Sequence, residues 1–523
     1  MATAAARVGD SGGSPTPSLN LAAAVQVVLV LLVDAFGGWL AFNIFQDGNL
    51  FFALAIVATL VLITAIVLIP SLWPLKWISP ALALMILLSI YPLLYTVYIA
   101  FTNYSDGHRY TKTEAIELLG ERRYLPEGGS SYASTLYQNA DGAFALWLIN
   151  DAGESFFATG DGAWTAVTGE APADYNGFAP LEGGAVFRAL SAVDGVTFGD
   201  EANGVQVQSR NEASGFAQQW VYDAATDAIT DRATGTVYVS DPVLGEFIAA
   251  NGNPAPFGYW VSVGFSNFSR IIESTLSQGP LVRVVLWTIG FAVFGTLSGF
   301  ALGLLTALLL NGSHPSLRVL RTLLIIPYAV PGLVSVLVWR GMLNSNIGII
   351  PEVLTSIFGA SPPFSSDPGW AKIAILLVNV WFAAPYFMLI ASGALQSVSS
   401  SVYEAAEVDG ASAWTSFWQI TLPLVLVALG PLLIASVIFN FNNFFLMEAM
   451  FGGGPPIAGT SAPPVGHTDN LISYTYRLAF SAGGTKDYGL ASALGVVIFI
   501  IVGLLTLVQF RLTRSWEQVS ESV

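Results

Sequence analysis

Eight stretches of the chain stay apolar for about 20 residues or more, the length a helix needs to cross a bilayer. They run approximately Leu21–Phe42, Asn49–Ile69, Trp77–Phe101, Leu281–Leu310, Val319–Met342, Ala371–Leu395, Leu422–Leu446 and Leu490–Phe510. The pattern predicts a polytopic α-helical membrane protein with about eight transmembrane helices: three within residues 19–102 and the rest within 266–523. Residues 1–18, mostly Gly, Ser, Pro and Ala, read as a disordered tail.

Between the third and fourth spans the pattern changes period. Residues 103–265 open with YTKTEAIELL, a short amphipathic helix, and continue as β-prone runs such as ALWLIN, ESFFAT and AWTAVT. Asp141-Gly142, Ala152-Gly153 and Asp161-Gly162 punctuate them at about ten-residue spacing, which describes an antiparallel sheet or sandwich. VQVQSR, QQWVYD and GTVYVS extend the series. A β-rich domain is thus inserted after the third helix. Asn267–Gln278 reads as an amphipathic helix leading into the fourth span, and Leu343–Trp370 and Phe451–Asp487 as outer loops.

A second interruption, residues 399–423, is short, helix-prone and acidic. Glu404, Ala405 and Ala406 favour helix, Gly410 permits a turn, and Trp414, Phe417 and Trp418 resume an apolar stripe. A helix-turn-helix at a membrane face is suited to be held by another protein.

Composition sharpens this outline. Hydrophobic residues make up 54% of the chain and charged residues 10%, against about 25% charged in soluble domains. The net charge of −16 is concentrated in the insert, where 21 acids face 7 basic residues. That excess argues against nucleic acid and against docking on anionic lipid. The absence of cysteine rules out disulfides and thiolate metal sites, and His108, His314 and His467 are too scattered to predict a metal centre. Gly452–Pro456 is glycine-rich, but no Gly-Lys dipeptide occurs anywhere, so the chain lacks a Walker A loop. Arg7, Lys76, Arg318, Arg321, Arg511 and Arg514 fall on one side if both termini are cytoplasmic, leaving the insert extracytoplasmic and Glu404 cytoplasmic.

Polar residues inside spans are costly and mark function. In the seventh span Ser436, Phe439, Asn440 and Asn443 fall at i, i+3, i+4 and i+7 of a continuous helix, one face carrying amides beside an aromatic ring. That chemistry suits the hydroxyl edge and C–H face of a sugar, and it equally suits interhelical hydrogen bonding. Pro385 in the sixth span can kink the helix, with Tyr386 reaching a ligand or a neighbouring helix; Pro327, Pro331 and Gly332 suggest bending in the fifth. Asp34 is the clear intramembrane charge and reads as a peripheral helix contact or a protonated acid. The seven spans after Phe42 hold no Asp, Glu or His well inside them, which argues against an ion-coupled carrier.

Glu404-Ala405-Ala406, Gly410, Ile420, Leu422 and Pro423 fit E-A-A-x3-G-x9-I-x-L-P, which resembles the coupling loop of permease subunits in binding-protein-dependent ABC importers. With LIIPYAVP (Leu324–Pro331), FNFNNF (Phe439–Phe444), HTDNLISYTYRLAF (His467–Phe480) and DYGLASAL (Asp487–Leu494), the chain resembles maltose/maltodextrin importer permeases of the MalF type over nearly its whole length from Leu21. The resemblance implies a type I ABC importer permease fold and partnership with a second homologous permease and an ATPase homodimer. It also implies an extracytoplasmic maltodextrin-binding protein that delivers maltose or maltodextrin partly through the insert. ATP and Mg would belong to the ATPases, with no cofactor in this chain. It implies substrate contacts at Phe382, Ala383, Tyr386, Ser436, Phe439, Asn440 and Asn443, and ATPase coupling at Glu404, Ala405, Ala406 and Gly410. One departure stands out: Phe382-Ala383-Ala384 precedes Pro385-Tyr386 where the family typically shows Leu-Gly-Tyr, which adds a methyl and removes a hydroxyl. This bears on sugar length and on maltose against a related α-glucoside such as trehalose.

Overall fold

A computed structural model describes residues 21–124, 126, 131–200, 204–215, 217–276, 279–312, 314–459, 465–480 and 486–521. The expected tail, 1–18, lies outside the described residues. Helices α1 (Leu21–Gln46) and α2 (Leu50–Leu68) form a hairpin, followed by α3 (Ser79–Met85), which passes through a π turn at Ile86–Ile90 into α4 (Tyr91–Ile99). Leu29, Leu31, Leu32 and Phe36 of α1 are more than half exposed, as expected of a helix apolar all round and bathed in lipid. Asp34 accepts hydrogen bonds from the Thr64 hydroxyl at 3.0 and 2.8 Å, so it is a contact between α1 and α2.

The insert contains α5 (Lys112–Gly120), closed by a capping box between Thr111 and Glu114, and α6 (Gly184–Val193). Its described strands form three antiparallel sheets of seven, four and two strands. The largest contains the meander Ser131–Asn139, Phe144–Asn150, Ser155–Thr159 and Trp164–Val167, in register Leu146↔Ala158 and Phe157↔Thr165. Gly142, Gly153 and Gly162 turn its hairpins at φ +86°, +81° and +96°, where a side chain would be strained. Leu136, Leu146, Leu148 and Phe198 are buried in a core belonging to the insert alone. A polar seam closes the two ends of this domain onto the membrane helices, where the Val263 amide donates to the Phe101 carbonyl at 2.8 Å. Asn103 donates to the Leu244 carbonyl (2.7 Å) and accepts from the Val261 amide (2.7 Å), while Asn267 donates to the Ala100 and Thr102 carbonyls.

The core follows: α7 (Ser266–Leu276), α8 (Pro280–Leu309), α9 (Pro315–Ala329), α10 (Gly332–Met342), α11 (Ile349–Phe358), α12 (Pro368–Ser397), α13 (Ser400–Val408), α14 (Ala413–Ser416), α15 (Leu422–Phe441), α16 (Phe444–Phe451), α17 (Leu471–Phe480) and α18 (Tyr488–Glu521). Among the described residues seven helical stretches are long and apolar enough to cross a membrane. Seven of the eight expected spans are therefore single stretches, and the fifth is not. It divides at Val330 and Pro331 (ψ 136° and 128°), where proline disfavours the helical region for the residue before it. The seventh ends at Phe441, short of the expected Leu446, and restarts as α16. Pro385, by contrast, leaves α12 unbroken. The outer loops expected at 343–370 and 451–487 contain α11 and α17.

The helices α8 and α12 lie close because Gly295, Gly299 and Gly303 form a stripe at i, i+4 and i+8. A Cβ on Gly299 would stand 2.6 Å from Ala383 Cβ, and one on Gly303 would stand 2.8 Å from the Met388 amide nitrogen.

Candidate functional site

The breaks in the fifth and seventh spans face a common cavity of about 550 Å³ between α9, α10, α12, α15 and α16. Phe382, Ala383, Tyr386, Ser436, Phe439, Asn440 and Asn443, separated in sequence by up to 61 positions, all line it. Each arrives there for a different local reason.

Phe382, Ala383 and Tyr386 lie on α12, one helical turn apart. The methyl of Ala383, added relative to the pattern the sequence resembles, packs on Gly299 as well as bordering the cavity. Tyr386 stacks on Tyr328 of α9, ring centroids 6.4 Å apart and 23° from parallel. On α15, Ser436 donates to the Leu432 carbonyl (2.8 Å), keeping its oxygen as an acceptor, and Phe439 leaves 70% of its surface exposed.

Asn440 and Asn443 do not share one helical face. Asn440 is buried (5% exposed) and donates to the Thr296 hydroxyl of α8 at 3.0 Å, leaving an amide oxygen. Asn443 stands beyond the end of α15 and caps α16, its oxygen accepting from the Leu446 amide at 3.1 Å. Its NH₂ group remains to donate. The helix breaks because the Asn443 side chain satisfies a main-chain donor that a continuous helix would have paired. The cavity thereby offers an amide acceptor and an amide donor beside aromatic faces. The interhelical role foreseen for these amides is also present, at Asn440–Thr296.

Sequence reasoning missed Tyr328, Val330, Asn379 and Phe445. Asn379, buried on α12, donates to the Gly295 carbonyl at 3.1 Å. Its position at i−4 from Ala383 was a usable signal; Phe445 had none, since only the break at Asn442–Asn443 turns it inward.

At the opposite end of α15, Glu404 and Ala405 lie exposed on α13 and Ala406 is half-buried. Gly410 takes φ +80°, reversing the chain toward α14, where Ser412 caps by accepting from the Thr415 amide (3.1 Å). The Tyr403 hydroxyl lies 3.0 Å from that of Thr421, tying α13 to the base of α15 through the π turn Phe417–Thr421. Val408, Trp414 and Trp418 present apolar surface around the turn.

Comparison with known proteins agrees with this architecture. Residues 299–517 match the family model described as the binding-protein-dependent transport system inner membrane component. Residues 83–161 match the N-terminal of the TM subunit in PBP-dependent ABC transporters. The maltose/maltodextrin transport system permease protein MalF of Vibrio vulnificus is 34% identical over 522 residues, covering 97% of this chain and 98% of its own. That of Vibrio cholerae is 36% identical over 471 residues, 85% and 86% of the two chains. A solved bacterial alginate ABC transporter, in complex with an alginate pentasaccharide-bound periplasmic protein, overlaps 48% of this chain and 83% of its own, at 22% identity and a TM-score of 0.41. The chain is a multi-pass inner-membrane permease that belongs to the MalF family of maltose/maltodextrin transport system permease proteins.

Proposed function

We propose that this chain forms the sugar path of an ATP-driven importer for maltose and maltodextrins, in keeping with relatives named as maltose/maltodextrin transport system permease proteins. The observation that carries the reading is the cavity, which collects aromatic faces, an amide acceptor and an amide donor from three separate helices. Its volume of about 550 Å³ falls within the roughly 300–1,000 Å³ of small-molecule sites. An aromatic ring covers the apolar face of a sugar while amides pair with its hydroxyls, which a lipid-facing surface could not use.

No bond of the sugar changes. The chain alternates between outward and inward access, with a second homologous permease completing the path. Two copies of an ATPase carry ATP and Mg²⁺. They grip α13 and the turn at Gly410, whose exposed Glu404 and Trp414 supply a polar and an apolar contact. Because Tyr403 ties α13 to the root of α15, a push on the handle moves the helix that carries Ser436, Phe439 and Asn440. The termini and the handle lie in the cytoplasm, where the basic loops predict them. The acidic insert lies outside, where a maltodextrin-binding protein docks partly against it.

The test replaces Asn440 and Asn443 by leucine and follows labelled maltose uptake in cells with equal membrane levels of the protein. Loss of two sugar hydrogen bonds should lower uptake by about 10-fold or more. Unchanged uptake would defeat the reading, and better uptake of labelled trehalose than of maltose by the parent protein would redirect it to that sugar.

A further inference from the structure

A buried polar cluster lies behind the cavity, in the outer hairpin of α16 and α17. Asp469 has no exposed surface. Its Oδ1 accepts from Arg477 Nε (2.9 Å) and from the Ser473 hydroxyl (2.8 Å), and its Oδ2 accepts from the Gly466 amide (2.8 Å). Arg477, on α17, also reaches Glu448 Oε2 on α16 at 3.0 Å and donates to the Gly452 carbonyl at the end of α16. Asn470 donates to the main-chain oxygen of Asn443 at 3.0 Å, and its own side-chain oxygen accepts from the Ser473 amide at 2.9 Å. The hairpin is fixed to α8 in turn. Trp287 donates to the Thr468 carbonyl (3.2 Å), and the Leu471 amide donates to Thr288 (2.9 Å).

These contacts hold α16 at both ends. Asn470 pins its N-terminal cap, the same Asn443 that walls the cavity, and Arg477 pins its C-terminal turn. Between them the first turn of α16 presents Phe445 and Leu446 to the cavity. A half-buried guanidinium between a buried and a partly exposed carboxylate is a weak source of stability, because desolvation offsets much of the Coulomb gain. What its planar guanidinium fixes well is relative position, since donors held rigidly in one plane and shared among three separate acceptors tolerate little displacement.

Resting on the sugar-path reading, we propose that Asn470 and Arg477 are positioning residues. They set where α16 stands, and so how far the cavity extends at its outer lip and which sugar length fits. Neither residue lines the cavity; each acts through Asn443 and the α16 backbone.

Asn470→Leu keeps the volume and removes the donor to Asn443. Arg477→Lys keeps the charge and loses the fork. Glu448→Gln weakens one arm only, and serves if the arginine variant fails to reach the membrane. Initial uptake of labelled maltose and labelled maltotriose is measured in cells at matched membrane levels. Loss of one positioning hydrogen bond should shift the maltose-to-maltotriose ratio by about 3- to 10-fold. A fall in both sugars at an unchanged ratio means that the cluster only holds the fold, and overturns the proposal. The Asn440 and Asn443 leucine variants are measured alongside. If these leave uptake intact, the sugar-path reading fails and takes this proposal with it; if they abolish uptake while the ratio stays fixed, only the positioning role is refuted.

Discussion

At the scale of single residues, the cavity depends on side chains that are missing as much as on those present. Gly295, Gly299 and Gly303 let α12 approach α8 until Asn379 bonds the Gly295 carbonyl, and the bare Gly295 leaves room for Asn440 of α15 to reach Thr296. A side chain at Gly303 would meet Ala384 O at 2.9 Å and the α12 backbone nearby, neither of which can swing aside. Gly303→Val should therefore destabilise the solubilised protein by about 1–3 kcal/mol, as overpacking does, read as a lower melting temperature. An unchanged melting temperature would mean that the two helices separate at little cost. Of the site residues on α12, Tyr386 was legible beside Pro385 in an apolar run, Phe382 and Ala383 through the family resemblance, and Asn379 was not read. Asn443 was legible as a polar residue in an apolar run, but its role was not. Whether an asparagine lies on a helix face or caps the next helix depends on which main-chain donors its side chain meets.

Among elements, the informative ones are those that interrupt a span. The pair Val330-Pro331 divides the fifth span where proline chemistry allows, yet Pro385 stays inside an intact α12. The two differ in packing: α12 is clamped along its length to α8, and α9–α10 carries mostly exposed residues. The turn after α13 is the other such element. At φ +80° Gly410 occupies a region that costs an L-residue roughly 1–2 kcal/mol, and a β-branched one more. Gly410→Val should reshape the turn and lower maltose uptake by about 10-fold or more in cells at matched membrane levels. Gly359, at φ +78° after α11, controls for strain alone: Gly359→Val should leave uptake near the parental value. Equal loss in both variants would remove any special role for the turn.

At the scale of the whole molecule, the insert meets the membrane helices through a seam that includes a titrating group. His108 Nδ1 lies 2.8 Å from the Ser105 hydroxyl and Nε2 lies 3.4 Å from Glu246, with Asp487 at the start of α18 close by. Burial holds the His108 pKa below the usual histidine value, against the opposing pull of the Glu246 and Asp487 charges. The folded state thus takes up fewer protons than the unfolded chain in the window below about pH 6.5. Stability from this site is fully present above that pH and is lost as pH falls through the folded pKa. The parent protein should melt at a lower temperature at pH 5.5 than at pH 7.5, and His108→Gln should reduce that difference. An identical pH response in the variant would place the titration elsewhere.

The sequence by itself determined the apolar spans, the β-rich insert, the acidic handle and the family. Each of these is local: a run of one period, a turn dipeptide, or a motif of fixed spacing. Tertiary structure decided where two spans break, which amide hydrogens are already used, and that α16 is held from behind by Asn470 and Arg477. The partners that use those hydrogens and hold α16 lie 25 to 144 positions away, as Gly452 does from Arg477 and Thr296 from Asn440. No local pattern carries them, because a hydrogen bond between distant residues exists only once the helices have packed.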